Sequence, residues 1–259
     1  MSHHSIEVAE LGFAYPEGPA VLDGVSFRIT HGESVAVVGA NGAGKSTLLM
    51  HLNGVLTPAR GTVRIGDVPV TRNTLQDIRK TVGMVFQDPD DQLFMPSVRE
   101  DVAFGPMNLG LPIEDVEVRV RDALTQVGHL DLADRPPYRL SGGEKRAVAI
   151  ATVLAMYPSI LVMDEPSSSL DPRARRRVIE LLRSFSHTKI IATHDLDLAL
   201  DVCERTIVLS AGAVIADGRT VDIFRDDALL QRSGLEQPMS MQSCAACGAL
   251  PAVIGGSYG

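Results

Sequence analysis

Residues Gly39 to Ser46 read GANGAGKS, matching G-x-x-x-x-G-K-[ST] between an apolar β-branched run (Ser34 to Val38) and a helical pattern (Lys45 to Leu52). Strand, glycine loop and helix in that order form a phosphate cradle. Glycines let the backbone wrap an anion, and the loop amides and helix N-terminus then face it. Lys45 is placed to reach β- and γ-phosphates, and Ser46 to ligate Mg²⁺. A second stretch, ILVMDE (Ile160 to Glu165), carries Asp164 to the end of a buried strand, where open α/β sheets bind ligands. Asp164 would hold the cation, and Glu165 would orient or deprotonate an attacking water. A third stretch, FQDPDDQLF (Phe86 to Phe94), crowds Asp88, Asp90 and Asp91 around a proline turn. Like charges so close do not make core. A docking socket for a basic partner, a solvated loop and a weak site for a hard cation remain open readings.

These residues need a frame to hold them. Ile6 to Tyr15 and Val21 to Ile29 alternate around Pro16–Gly18 and read as an antiparallel strand pair. Thr62 to Ile65 and Val82 to Phe86 are further strand candidates. Ser97 to Leu109 and Glu114 to Val127 read as helices, and Ser141 caps another reaching about Ala155. Pro172 opens a helix, with Lys189 to Thr193 and Thr206 to Ser210 as the last clear strands. Strands alternating with helices predict a parallel sheet covered on both faces. A helical segment at about 90–155 interrupts that α/β core. Residues 236–259 are small and polar and read as a loosely held tail, with the Cys244–Cys247 pair too few for a closed zinc site.

The 259 residues suffice for one well-buried domain. A net charge of −8 disfavours general nucleic-acid binding. Three cysteines make no disulfide framework and fit a reducing compartment. The start of the chain lacks the plan of a signal peptide. The most apolar region, Ala147 to Met163, is broken by Thr152, Pro158 and Ser159, so any membrane spans would come from another chain.

LSGGEKR (Leu140 to Arg146) decides among phosphate-loop proteins, because with the two motifs above it resembles the signature of ABC-type ATPases. Further motifs follow in the family order: Gln87 as the Q-loop glutamine, SSLD (Ser168 to Asp171) as the D-loop, with Ser169 where Ala or Gly is common, His194 as the switch histidine, and Tyr15 where an aromatic stacks on adenine. The resemblance covers about residues 5–235. It implies a P-loop ATPase core of the α/β class, an antiparallel β subdomain, an inserted helical subdomain, and ATP with Mg²⁺ as cofactors. ATP would lie on Gly39, Asn41, Gly42, Ala43, Gly44, Lys45, Ser46 and Thr47, and Mg²⁺ on Ser46, Gln87 and Asp164. Ser141, Gly142, Gly143 and Glu144 would grip the γ-phosphate held by a second subunit, so two copies close head to tail around two nucleotides. Catalysis would fall to Glu165, His194, Gln87 and Lys45.

FQDPDDQLF followed by SVREDVAFGPMNLGL resembles one branch, the energy-coupling-factor importers, whose membrane subunit docks helices carrying arginines. Asp88, Asp90, Asp91, Leu93 and Phe94 would receive them. The branch implies a transmembrane coupling subunit and a substrate-binding membrane subunit as partners, a place on the cytoplasmic membrane face, and no nucleic acid. A homodimer is more economical than a pair of unlike ATPases, since one chain carries every motif. His194 to Gly218 resembles cobalt and nickel members more than vitamin members. The alternatives are a biotin-type vitamin importer and, further off, a soluble non-transport ATPase.

Overall fold

The computed structural model describes residues 5–242. Two sheets form from the two kinds of apolar pattern in the sequence. The alternating segments give a four-stranded antiparallel sheet in the order β2-β1-β4-β5, from β1 (Ile6–Ala14), β2 (Ala20–Ile29), β4 (Arg60–Ile65) and β5 (Val68–Pro69). Ile6 pairs with Ile29 on one side and Ile65 on the other, all inward. The register shifts between Val8 and Leu11, around Glu10 at φ 50°, so Leu11 stays inward and Glu10 does not.

The continuous apolar runs give a six-stranded sheet in the order β10-β9-β3-β8-β7-β6. Its members are β3 (Ser34–Val38), β6 (Val82–Val85), β7 (Ile160–Asp164), β8 (Thr188–Ala192), β9 (Arg205–Ser210) and β10 (Ala213–Arg219). All neighbours are parallel except β9 and β10. Both faces are covered, which is why these strands do not alternate. Val35 and Val37 of β3 face one core, shared with the antiparallel sheet and α1 (Lys45–Leu52); Ala36 and Val38 face the other, shared with the helices.

Between β6 and β7 lies the helical subdomain: α3 (Val98–Asn108), α4 (Ile113–Gln126) and α5 (Gly142–Leu154); α2 (Leu75–Thr81) comes just before β6. Val102, Val120, Leu124 and Ile150 join one core beneath it. α6 (Pro172–Ser184) buries Val178, Ile179 and Leu182 and exposes Arg173, Arg176, Arg177 and Arg183, while Arg175 is half-buried, with Pro172 at its first position and Asp171 capping it. α7 (Leu196–Val202), α8 (Thr220–Arg225) and α9 (Asp227–Arg232) complete the described fold.

Two expectations need correction. The strands do not end at Ser210. β10 folds back through Ala211 (φ 46°) and Gly212 (φ 80°), a turn with two positive φ values that suits a tight hairpin. Its half-exposed mix of Ala, Asp and Gly hides it from an apolar count. Nor are residues 236–242 loosely held: the Met239 and Ser240 amides each donate to the Asp197 carboxylate at 3.0 Å, and Leu235 and Met241 pack on the core. Cys244 and Cys247 lie outside the described residues.

Candidate functional site

The phosphate loop, Asp164, Glu165 and His194 follow the C-terminal ends of the parallel strands β3, β7 and β8, and Gln87 follows that of β6. The loop after β3 turns tightly against β9, and a Cβ on Gly39 would collide with the Leu209 carbonyl oxygen. Gly44 caps α1 at φ 102°, where a Cβ would come within 2.9 Å of Leu22 and of the Val21 carbonyl oxygen. Ala43, Gly44, Lys45 and Thr47 are buried, Ser46 is half-buried, and Asn41 and Gly42 form the exposed lip. The Lys45 ammonium lies inside the loop, donating to the Gly39 carbonyl at 2.9 Å and the Ala40 carbonyl at 3.2 Å. Tyr15 stands at the rim, 42% exposed, with its ring edge-to-face on Phe13 and its hydroxyl 3.2 Å from that of Thr47.

Asp164 ends β7 nearly buried. Burial pushes its carboxyl above the usual 3.8, and Glu165 adds to this, while the Ser46 hydroxyl, Lys45 and Arg146 pull it back. Its Oδ1 is buried with no hydrogen-bond partner. An orphaned carboxylate oxygen beside a half-buried serine hydroxyl fits a hard divalent cation, as Mg²⁺ requires. Ser46, Gln87 and Asp164 line one cleft of about 680 Å³.

Glu165 follows at φ 49°, a strained setting for a glutamate. Its backbone amide donates to the Ala192 carbonyl at 2.8 Å, and its Oε2 receives the Thr193 hydroxyl at 3.1 Å and the His194 amide at 3.3 Å. The His194 ring places Nδ1 2.8 Å from the same oxygen while the rest of the ring is open to solvent. The sequence motif pairs Glu165 and His194 only by family order; the fold puts them in contact.

Ser141, Gly142, Gly143 and Glu144 open α5. Ser141 Oγ receives the Glu144 amide, and the Glu144 carboxylate receives the Ser141 amide at 2.7 Å, which holds that carboxyl below its usual range. Ser141 and Gly142 are exposed. A Cβ on Gly142 would meet nothing within 4 Å, and its φ is not positive, so nothing in this chain requires glycine there. Gly142 also lines the cleft, with Lys145, Ser168 and Ser169.

The segment Phe86 to Phe94 departs from expectation in two places. Leu93 is 8% exposed and packs in the helical core, so it offers no surface to a partner. Asp90 is already paired, with the Lys145 ammonium at 2.6 Å. Asp88 accepts the Asp90 amide at 2.9 Å and caps the turn Pro89–Asp91, while Asp91 is exposed. Among the described residues no group of three or more His, Cys, Asp or Glu side chains is gathered closely enough to hold a metal ion. Phe94 is 63% exposed and stacks edge-to-face on Phe104 at 5.0 Å. Its amide is fixed by Asp101 Oδ1 at 3.0 Å.

Sequence reading passed over several residues. Arg146, buried in α5, donates to the carbonyls of Phe86 (2.8 Å) and Gln87 (2.5 Å). Gln92 receives the Phe86 amide and donates to the Ala149 carbonyl and the Thr152 hydroxyl. The Gln87 segment and α5 are thereby fastened together. Arg146 already stood in LSGGEKR, but only contacts reveal its task. Thr193, Asp195, Arg175 and Ser167 were likewise invisible as a group.

Comparisons with known proteins agree with this geometry. A family model described as ABC transporter matches residues 22–168. The chain is 66% identical, over 96% of its length and 100% of the relative, to a putative ABC transporter ATP-binding protein of Geobacter sulfurreducens. It is 49% identical, over 90% of its length and 76% of the relative, to the energy-coupling factor transporter ATP-binding protein EcfA of Methanothermobacter thermautotrophicus. Among solved structures, CbiO1 of Clostridium perfringens, part of the ABC transporter complex CbiONQ, superposes with a TM-score of 0.77 at 38% identity, covering 89% of this chain and 94% of that one.

Proposed function

The chain belongs to the ABC transporter ATP-binding family and is an ATPase whose hydrolysis is coupled to transport, with ATP and Mg²⁺; from that premise we propose that it powers an energy-coupling-factor importer of transition-metal ions. The observation that carries the importer reading is the Phe86–Phe94 segment. It is tied to α5 on one side, reaches the cation site through Gln87, and presents Asp91 and Phe94 outward beside the exposed Phe104 and Met107 of α3. A membrane subunit's arginine-bearing helix fits a carboxylate beside aromatic surface. The relatives EcfA and CbiO1 support that branch. Among the described residues no helix is long and apolar enough to cross a membrane. The importer reading calls for a transmembrane coupling subunit and a substrate-binding membrane subunit as partners, with this chain on the cytoplasmic membrane face.

In this reading the loop amides of Gly39 to Thr47 and the Lys45 ammonium bind the phosphates, and Tyr15 stacks on the base. Ser46 and Asp164, with Gln87 lining the same cleft, would hold Mg²⁺, which when bound would supply neutralisation of the charge developing on the phosphoryl oxygens. Glu165 accepts the proton of the attacking water. His194, turned by Glu165, directs its exposed edge at the terminal phosphate. Ser141 and Gly142 complete the site of a second copy, which explains a glycine that its own chain does not need. A homodimer is the simplest assembly. Cobalt stands first as cargo, nickel second, and biotin or another vitamin third, on the resemblance of His194 to Gly218.

Affinity purification of the full chain with its membrane subunits tests the reading. The wild type brings down a polytopic partner, and the assembly takes up Co²⁺ with ATP. Asp91→Lys with Phe94→Ala loses the partner while the isolated chain still hydrolyses ATP. Wild-type chain that never retains a membrane protein refutes the importer assignment.

A further inference from the structure

A line of hydrogen bonds runs from α6 to the catalytic carboxylate. Arg175, in the first turn of α6, grips Asp195 with two contacts, Nε to Oδ2 at 2.8 Å and Nη2 to Oδ1 at 3.0 Å. Ser167 adds its hydroxyl to Oδ2 at 3.0 Å. Asp195 Oδ1 also caps α7 through the Leu198 amide at 2.9 Å. With its carboxylate fixed at both oxygens, Asp195 has its backbone amide aimed at the Thr193 hydroxyl, 3.0 Å away. That amide occupies a lone pair of Oγ1, leaving the single hydroxyl proton to point at Glu165 Oε2, 3.1 Å away. Thr193 is wholly buried.

We propose that Thr193 is a positioning residue that sets the direction of the Glu165 carboxylate, and that Arg175 and Asp195 set Thr193. The proposal rests on Glu165 acting as the base for ATP hydrolysis. The fork geometry matters, because a guanidinium holds both carboxylate oxygens in one plane where an ammonium is a point charge. The relay also starts where Asp171 caps α6, receiving the Arg173 and Ala174 amides. The segment Ser168 to Asp171 therefore cannot move without disturbing the base.

The experiment uses the full chain with saturating Mg²⁺, measuring kcat and KM for ATP and the thermal midpoint. Thr193→Val keeps the shape and deletes the proton; kcat falls on the order of tenfold to hundredfold, the range for a misaimed reacting group, with KM within about twofold. Thr193→Ser restores the hydroxyl and recovers most of kcat. Arg175→Ala lowers kcat in the same way, and Arg175→Lys does not rescue it. A Thr193→Val enzyme with undiminished kcat overturns the relay, as does a Thr193→Ser enzyme as slow as Thr193→Val, or a loss of kcat matched by an equal rise in KM. A wild-type chain with no ATP turnover removes the base assignment itself, and the relay with it; Glu165→Gln turning over at the wild-type rate does the same.

Discussion

Arg146→Met removes the fastening between the Gln87 segment and α5 while keeping an unbranched stem of similar bulk. Two carbonyl oxygens, of Phe86 and Gln87, lose a charged donor. Each such bond is worth about 1.5–3 kcal/mol net. Two terms reduce the sum. Burial lowers the Arg146 pKa, against the opposing pull of Asp88, Asp164 and Glu165, so removing the guanidinium relieves a desolvation penalty. Phe86 is half-buried and Gln87 exposed, so water can reach their carbonyls. The net loss is about 2 kcal/mol, which lowers the thermal midpoint by roughly 4–8 °C for a chain of this size. Lys145→Met is the control: its pair with Asp90 lies at the surface, the aspartate 64% exposed, and such pairs contribute about 0–1 kcal/mol. Urea unfolding of both variants, with the slope held to the wild-type value, gives the comparison. In the same samples Arg146→Met keeps nucleotide binding and loses turnover, since Lys45 and its loop are untouched. Equal stability of the two variants, or undiminished turnover in Arg146→Met, refutes the reasoning.

Gly142→Ala leaves folding intact or raises stability by about 0.5–1 kcal/mol, because a Cβ there meets open space at the start of a helix; calorimetry checks this, and ATP-dependent dimer formation by light scattering falls tenfold or more. Mg²⁺ binding, followed by titration calorimetry, weakens as pH drops, and does so above the ordinary carboxylate value of 3.8, because the raised Asp164 pKa makes the cation displace a proton there. Asp164→Asn removes that dependence. Cys203, buried with its thiol pushed up to about 12, is thiolate in only about one molecule in ten thousand at pH 8. In a Cys244→Ala, Cys247→Ala background a maleimide labels it only on unfolding.

The phosphate loop was legible because its chemistry is local. Gly39 to Ser46 needs only a strand before it and a helix after it, and each boundary of Ser34–Val38 and Lys45–Leu52 matched the structure. Ser141 was legible as a cap for the same reason. What escaped was set by contacts far apart in sequence. Leu93 and Phe94 are adjacent apolar residues, yet one is core and the other surface, since the turn at Pro89–Asp91 and the Asp101 bond choose which side faces out. Asp90 looked free in FQDPDDQLF because Lys145 is 55 residues away in the chain. Arg175 reads as one of a run of arginines until α6 winds it onto Asp195.

The clasp formed by Met239 and Ser240 on Asp197 has a practical side. Asp197 belongs to α7, the helix that begins two residues past His194. An affinity handle or reporter spliced on at 235 would strip two amides from that carboxylate and bring foreign sequence to the doorstep of the switch. Joined after Gln242, the same handle leaves the lock shut.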